Sequence, residues 1–441
     1  MKFKLTSTQR IYILIVSVIV LSFIALFRVL SPYDGSYSED STIRITYADN
    51  ISSAHQKLID IFNKAHRGKI EVVPIDLPFS KFSTDQRKEL FARYFRSKSD
   101  RIDIFAVDMV DVPRFARYCV PLDQYFPLRD KKSFMSYALV PCTSDSSTLA
   151  IPLYLDISVM YYRKDIIKRL PDSTRWIKLL SQSITWGDFI KLHKELPDQS
   201  RPFFVFQADG YEGLMCMYVE MLSNFGGKIL KNGYPQLTSP EDISALKFLI
   251  DIVNTYKISP RQVCGLKEDE SYKFFAETNG VFLRAWPALA RNNFLVEKYP
   301  QVLANLVVAP LPHMKGAQPS FAFGGFDLMI SKYSTKIPEA IEFLQFMGSK
   351  QAQEVMYEDG GFLPTNRFVY EDSAFVKRHP ELIFYAQLFK HGVFRPKSEE
   401  YTRISDILSY YLHLAIEGKM TAKEALGTAQ RMIESEMVTI K

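Results

Sequence analysis

Residues 42–76 read TIRITYADNISSAHQKLIDIFNKAHRGKIEVVPID, and this stretch decides the fold. Ile43-Arg44-Ile45-Thr46-Tyr47 alternates apolar and polar side chains, the pattern of a strand with one face buried. Ser52 or Ser53 can cap the helix that follows. Leu58, Ile61, Phe62 and Ala65 recur at the i, i+3, i+4, i+7 spacing of one helical face. His66-Arg67-Gly68 ends that helix, and Lys69–Val73 is a second strand that Pro74 should stop. A charged helix over 84–97 follows, its Arg87, Lys88 and Glu89 reading as a solvated face, and then the apolar strand Ile102–Val107. Strands alternating with helices predict a mainly parallel sheet covered on both faces.

The same grammar continues along the chain without a fixed-period repeat or a low-complexity segment. Tyr154–Arg163 is an aromatic strand-like run. Thr185 can cap a helix over Trp186–Glu195, and Tyr211–Phe225 is an apolar helix closed by Gly226-Gly227. Ser239-Pro240-Glu241-Asp242 combines an N-cap, a first-turn proline and early acids. The stripe behind it is Ile243, Leu246, Leu249, Ile250 and Val253. Val281–Leu283 is a short strand before Trp286, Phe321–Ser331 is extended, and Ile337-Pro338-Glu339 opens a helix over 338–348. Helical stripes at 401–417 and 421–438 fill the C-terminal third.

The whole chain has 441 residues, enough for about two to four domains at roughly 100–200 residues each. Its 47% hydrophobic and 24% charged residues exclude a disordered tail, a fibrous repeat and a polytopic membrane protein. Residues 11–27, IYILIVSVIVLSFIALF, carry no charge. Extended through residue 30, this run is long enough as a helix to cross a bilayer. Lys2, Lys4 and Arg10 precede it, so the positive side stays cytoplasmic and the body is exported. No convincing small-residue cleavage site follows, which favours an uncleaved anchor in the cytoplasmic membrane; a cleaved signal peptide is the alternative. Residues 31–41 read as a polar linker. Four of the 55 basic residues lie in the leader with no acid, leaving 51 against 49 acids. A body so balanced is no nucleic-acid scaffold.

Cys119, Cys142, Cys216 and Cys264 are an even set in an exported chain. Cys119–Cys142 with Cys216–Cys264 is the preferred disulfide pairing, because each joins neighbours in sequence; four buried free thiols are the alternative. No zinc knuckle, nucleophile elbow, phosphate loop or H-E-x-x-H is present, so no metal, cofactor or catalytic residue is assigned, and the chain reads as a non-enzyme. The positive signal is aromatic, with 24 tyrosines and 33 phenylalanines. Several aromatics sit where strands end, as in Pro152–Asp156, Leu283–Pro287 and Gly324-Gly325-Phe326. Flat rings beside carboxylates and arginines suit the C–H faces and hydroxyls of carbohydrate, although each ring alone could serve ordinary packing.

Ordered pieces then accumulate: Asp103–Asp108, Val120-Pro121-Leu122-Asp123, Ile151–Asp156 running into Met160–Asp165, Thr185–Phe189, Gly280–Trp286, Gly324–Phe326 with Ile330-Ser331-Lys332, Ala340–Phe346, and Gly361–Arg367. In that order and spacing the body resembles the extracellular solute-binding proteins of ABC importers, in the branch that binds sugars and oligosaccharides. The resemblance implies a two-lobed, periplasmic-binding-protein-like α/β fold of type II, each lobe a mainly parallel sheet flanked by helices, with the ligand cleft between. It implies a first lobe of residues 42–155 plus 318–352 and a second of 156–317 plus 353–441. It implies Asp108 and Asp156 as hydroxyl acceptors, Tyr154, Trp286 and Phe326 as walls, Gly325 as backbone contact, Arg367 as charged donor and Asn50 as a further contact. Phe326 departs from the tryptophan frequent there, and the usual lipidated cysteine is missing. The implied partners are a sugar-like solute and ABC permease subunits. A membrane-anchored sensor of the same fold is the alternative, and a secreted glycan hydrolase a more distant one.

Overall fold

The computed structural model describes residues 42–78, 81, 82, 84–144 and 147–435. The expected anchor at 11–30 and linker at 31–41 lie outside the described residues. Among the described residues no helix is long and apolar enough to cross a membrane.

The chain opens with β1 (Ile43–Asp49), α1 (Ser53–Ala65), β2 (Ile70–Asp76), α2 (Thr84–Arg96) and β3 (Ile104–Asp108). It continues through β4 (Ile151–Ile157), β5 (Val159–Arg163), β6 (Phe204–Val205), α3 (Glu212–Asn224) and α4 (Pro240–Asn254). Then come β7 (Phe282–Ala285), β8 (Leu306–Ala309), β9 (Phe321–Ile330), α5 (Ile337–Met347) and α6 (Lys350–Gly360). Last are β10 (Gly392–Val393), α7 (Tyr401–Ile416) and α8 (Ala422–Glu434).

The first sheet runs β10-β9-β3-β1-β2, with β4 also paired to β9; the second runs β8-β5-β7-β6. β1 pairs in parallel with β2 and β3, while β9 runs antiparallel to β3 and β4. In the second sheet only β7 and β6 are parallel. The two-lobed α/β architecture is the expected one, but its sheets are mixed rather than mainly parallel.

Local sequence explains most element ends. Ser52 accepts from the His55 amide and His55 answers to the Ser52 backbone, a capping box that starts α1. Ser239 and Asp242 do the same for α4. The buried face of α1 is Ala54, His55, Leu58, Ile59 and Phe62, so the stripe is rotated from the expected one and Ala65 is exposed. Pro74 does not stop β2: it sits opposite Tyr47 in register. β2 is an edge strand, where a missing N–H leaves no ladder partner unmet. The aromatic run expected as one strand is two, broken at Ser158. Ser158 donates its amide to the Ala322 carbonyl, and its hydroxyl accepts from the Ala322 amide at 2.9 Å. There the chain leaves the first sheet for the second.

Two apolar clusters sandwich the first sheet, one around Tyr47, Phe62 and Phe343, the other around Phe91, Phe95, Phe105 and Phe115. A third cluster joins the second sheet to α3, α4, α7 and α8. Ala352 and Met356 of α6 pack in the first lobe, so the division expected at 352/353 falls inside a helix. All four cysteines are free and buried, which corrects the expected disulfides. Cys119 Sγ donates to the Ala116 carbonyl and Cys142 Sγ to that of Ala138, so each thiol is held within its own turn. Burial pushes the Cys119 and Cys216 thiols up to about 12.

Candidate functional site

Register brings the site together. On β9, Phe326 lies opposite Asp108 of β3 on one side and Tyr154 of β4 on the other, and Gly324 lies opposite Asp156. Three neighbouring strands thus place Asp108, Phe326 and Tyr154 in one row. A bulge follows at once, between Phe326 and Asp327. Gly325 has φ +131°, and a Cβ there would sit 2.4 Å from the Tyr154 carbonyl oxygen. Only glycine lets β9 pass so close to β4.

Trp286 follows the last residue of β7 and stands half-buried at the second-sheet side. The Arg284 guanidinium lies 5.0 Å from its ring centroid. Arg284 is itself fully buried, with Nη2 donating to Glu220 Oε1 at 2.5 Å and Nη1 to Gln207 Oε1 at 3.0 Å. A Cβ on Gly324 would meet Trp286 Cζ3 at 3.0 Å and Asp156 Cβ at 3.4 Å, so tryptophan and aspartate converge over that glycine. The Asp156 side chain is half-buried, yet its Oδ1 is sealed and has no hydrogen-bond partner among the described residues. Burial, and then the Asp108 charge, push the Asp156 carboxyl up to about 8.

Several of the expected residues have protein partners in the structure. Both Asp108 oxygens are engaged by Arg395, at 2.7 Å and 3.2 Å, and Oδ1 also caps the Val110 amide. Phe326 is not an open wall: Tyr154 stacks on it at 5.6 Å and the Arg87 guanidinium lies 5.2 Å from its centroid. Asn50 is half-buried, next to Asp49 at the end of β1. Arg367 is exposed and packs on Phe368 at 4.9 Å. The part of its motif that is buried is structural: Thr365 donates its amide to Gln353 Oε1 and its hydroxyl to the Pro152 carbonyl.

Sequence reasoning missed the basic side of the site. Arg87 and Lys88 are 3% and 6% exposed, not a solvated helix face. Arg87 donates to Asp49 Oδ1 at 2.8 Å, and Tyr47 Oη donates to Asp49 Oδ2 at 2.6 Å. Arg395, 4% exposed, reaches Glu212 Oε1 at 2.8 Å as well as Asp108. Glu212 also accepts from Tyr401 Oη and Ser405 Oγ. Arg395 therefore ties the first sheet to α3 and α7. A cavity of about 10 Å³, room for one water, lies among Arg87, Lys88, Asp108, Asp111 and Phe326. Burial pushes Asp111 up to about 7, against the pull of Lys88. No local pattern marks Arg395; a buried cation inside a polar segment shows only when its partners fold against it.

Two sheets of this order, joined at a crossing strand and facing one polar–aromatic junction, define the type II periplasmic-binding-protein fold. The chain belongs to the bacterial extracellular solute-binding protein family, whose model matches residues 48–354. A probable ABC transporter-binding protein of Deinococcus radiodurans is 25% identical over 372 residues, covering 81% of this chain and 84% of its own. An arabinooligosaccharide-binding protein of Halalkalibacterium halodurans is 23% identical over 386 residues, covering 82% and 83%. Among solved structures, maltose-bound T. maritima MalE3 matches with a TM-score of 0.80 at 25% identity, over 90% of this chain and all of that one.

Proposed function

We propose that this protein is an exported receptor that binds a carbohydrate-like solute between its lobes and hands it to an ABC permease. The observation that carries the reading is the pairing of a half-buried tryptophan face with a partnerless carboxylate oxygen, Trp286 and Asp156, over Gly324. A ring offers its face to sugar C–H groups, and a sealed acceptor takes a hydroxyl proton. The relatives support the same reading: one is an arabinooligosaccharide-binding protein, and one solved structure holds maltose. Arg395 and Asp108 set the opposite wall and, through Glu212, link the two lobes, so solute binding and lobe closure share one network. The apolar segment at 11–30, uncharged through residue 27, would hold the receptor at the outer face of the cytoplasmic membrane.

A thermal-shift screen against sugars, sugar alcohols, amino acids and polyamines tests this directly. A solute at ~100 times its Kd adds about 2.7 kcal/mol of stability. A rise confined to carbohydrate-like compounds supports the receptor; a response only to amino acids refutes it.

A further inference from the structure

Asp156 is neither ion-paired, like most carboxylates of the junction, nor fully buried against a thiol, like Asp327, which is 1% exposed and lies beside Cys142. Asp49 is paired with Arg87, Asp108 and Glu212 with Arg395, and Glu220 with Arg284. Asp156 forms no ion pair among the described residues, and its sealed Oδ1 has no hydrogen-bond donor. The titratable groups facing it are acids and phenols: Asp108 at the end of β3, Tyr154 on its own strand and Tyr385 from the helix Glu381–Leu388. Behind Asp108, two carboxylates share the single guanidinium of Arg395. The cations of the junction, Arg87, Lys88, Arg284 and Arg395, are engaged with other acids or lie at the cavity beside Asp111, and the surface beside Asp156 is the Trp286 ring. A carboxylate whose sealed oxygen has no donor is stabilised by keeping its proton or by meeting a cation. With burial and Asp108 pushing it up to about 8, Asp156 keeps its proton at neutral pH while no cation is bound.

We propose that the solute carries a basic nitrogen, as an amino- or imino-substituted sugar or polyol, whose ammonium pairs with Asp156 while its ring lies on Trp286. This rests on the carbohydrate reading of the cleft and narrows it. A neutral hydroxyl gives Asp156 one ordinary hydrogen bond. An ammonium gives a charge-assisted bond and, beside an indole, a cation–π contact. As the ammonium docks, Asp156 releases its proton to solvent, so binding weakens as pH falls.

The test is isothermal titration of the full chain with three probes: di-glucosamine, its N,N′-diacetyl form, and maltose. Di-glucosamine should bind about tenfold or more tightly than either neutral probe near pH 7.5. That advantage should shrink by about threefold or more near pH 5.5. In Asp156→Asn the ratio of charged to neutral affinity should fall to within about threefold of one. If neutral probes bind as tightly as di-glucosamine, the proposal is wrong and the carbohydrate reading survives. If the amino-sugar advantage persists in Asp156→Asn, the ammonium docks elsewhere and the assignment fails. If none of the three binds, the amino-sugar proposal fails, and the thermal-shift screen against the wider set of sugars and sugar alcohols decides the carbohydrate reading.

Discussion

Asp156 holds its proton up to about 8, whereas the ordinary aspartate value is 3.8. Between those values the native state binds more protons than the unfolded chain, so raising the pH through this window lowers stability. Asp111, pushed up to about 7, acts in the same direction. His55, His193 and His313 are lowered by burial and oppose it, but only below the ordinary histidine value of 6.5. The melting temperature of the ligand-free protein should therefore fall between about pH 6.5 and 8.5, and Asp156→Asn should flatten that slope. A melting temperature that rises across this range contradicts the assignment. Arg395 offers a second test at the same scale. Replacing it by methionine leaves Asp108 and Glu212 without their shared cation, and urea unfolding should show a loss of about 3–5 kcal/mol. Trp286→Ala should weaken solute binding by about 1–3 kcal/mol while unfolding stays cooperative, because the ring is only half-buried. Trp286 stands out in the sequence because it follows a short strand and precedes Pro287, and Asp156 because it is the one acid in the apolar run Ile151–Ile157. Arg87 and Arg395 do not. A charged residue among polar neighbours looks solvated, and its burial depends on Asp49, Asp108 and Glu212, which lie 38, 287 and 183 residues away.

Among the elements, β9 carries the most structural consequence. It pairs with β3, β4 and β10, bends at a bulge beside Phe326, and passes β4 closely through Gly325. Gly325→Ala would place a methyl group against the Tyr154 carbonyl at a φ that L-residues avoid. It should cost more than about 1 kcal/mol in chemical denaturation and also reduce solute affinity, since β9 holds Gly324 under Trp286. A neutral Gly325→Ala would mean that β9 and β4 relax apart freely. Helices were the easiest elements to read. The capped starts at Ser52, Thr185 and Ser239 are local hydrogen-bond chemistry, and all three occur as expected. Strand pairing was harder. The alternation in Tyr154–Arg163 continues smoothly across Ser158, and only the Ala322 backbone, far away in sequence, decides that the chain changes sheets there. The same holds for Pro74, whose tolerance depends on β2 lying at an edge.

At the scale of the molecule the two lobes are not beads on a string. The chain leaves the first sheet at Ser158, returns to it in β9, and ends in helices packed with the second sheet. β9 is shared further: Phe321 and Phe323 belong to the second lobe's apolar cluster, while Leu328 and Ile330 belong to the first lobe's. Arg395 adds a buried ionic tie between the end of β3 and α3. Such sharing was only partly visible in the sequence. Two sheets and a cleft followed from the order of the motifs, but the division near residue 352 did not, because α6 buries Ala352 and Met356 through contacts with α1. Unfolding one lobe would strip apolar partners from a strand that the other needs, so the lobes should unfold together. The three tryptophans make this measurable. Trp176, Trp186 and Trp286 all lie on the second-lobe side, so their fluorescence reports that lobe, whereas far-ultraviolet circular dichroism reports helices of both. In urea the two signals should trace one coincident transition, with one midpoint. If tryptophan fluorescence changes at a clearly different urea concentration from the dichroism, the lobes are independent folding units, and the shared strand and the Arg395 tie are too weak to couple them. Coincident curves that separate in the Arg395→Met variant would locate the coupling in that buried ion pair rather than in β9.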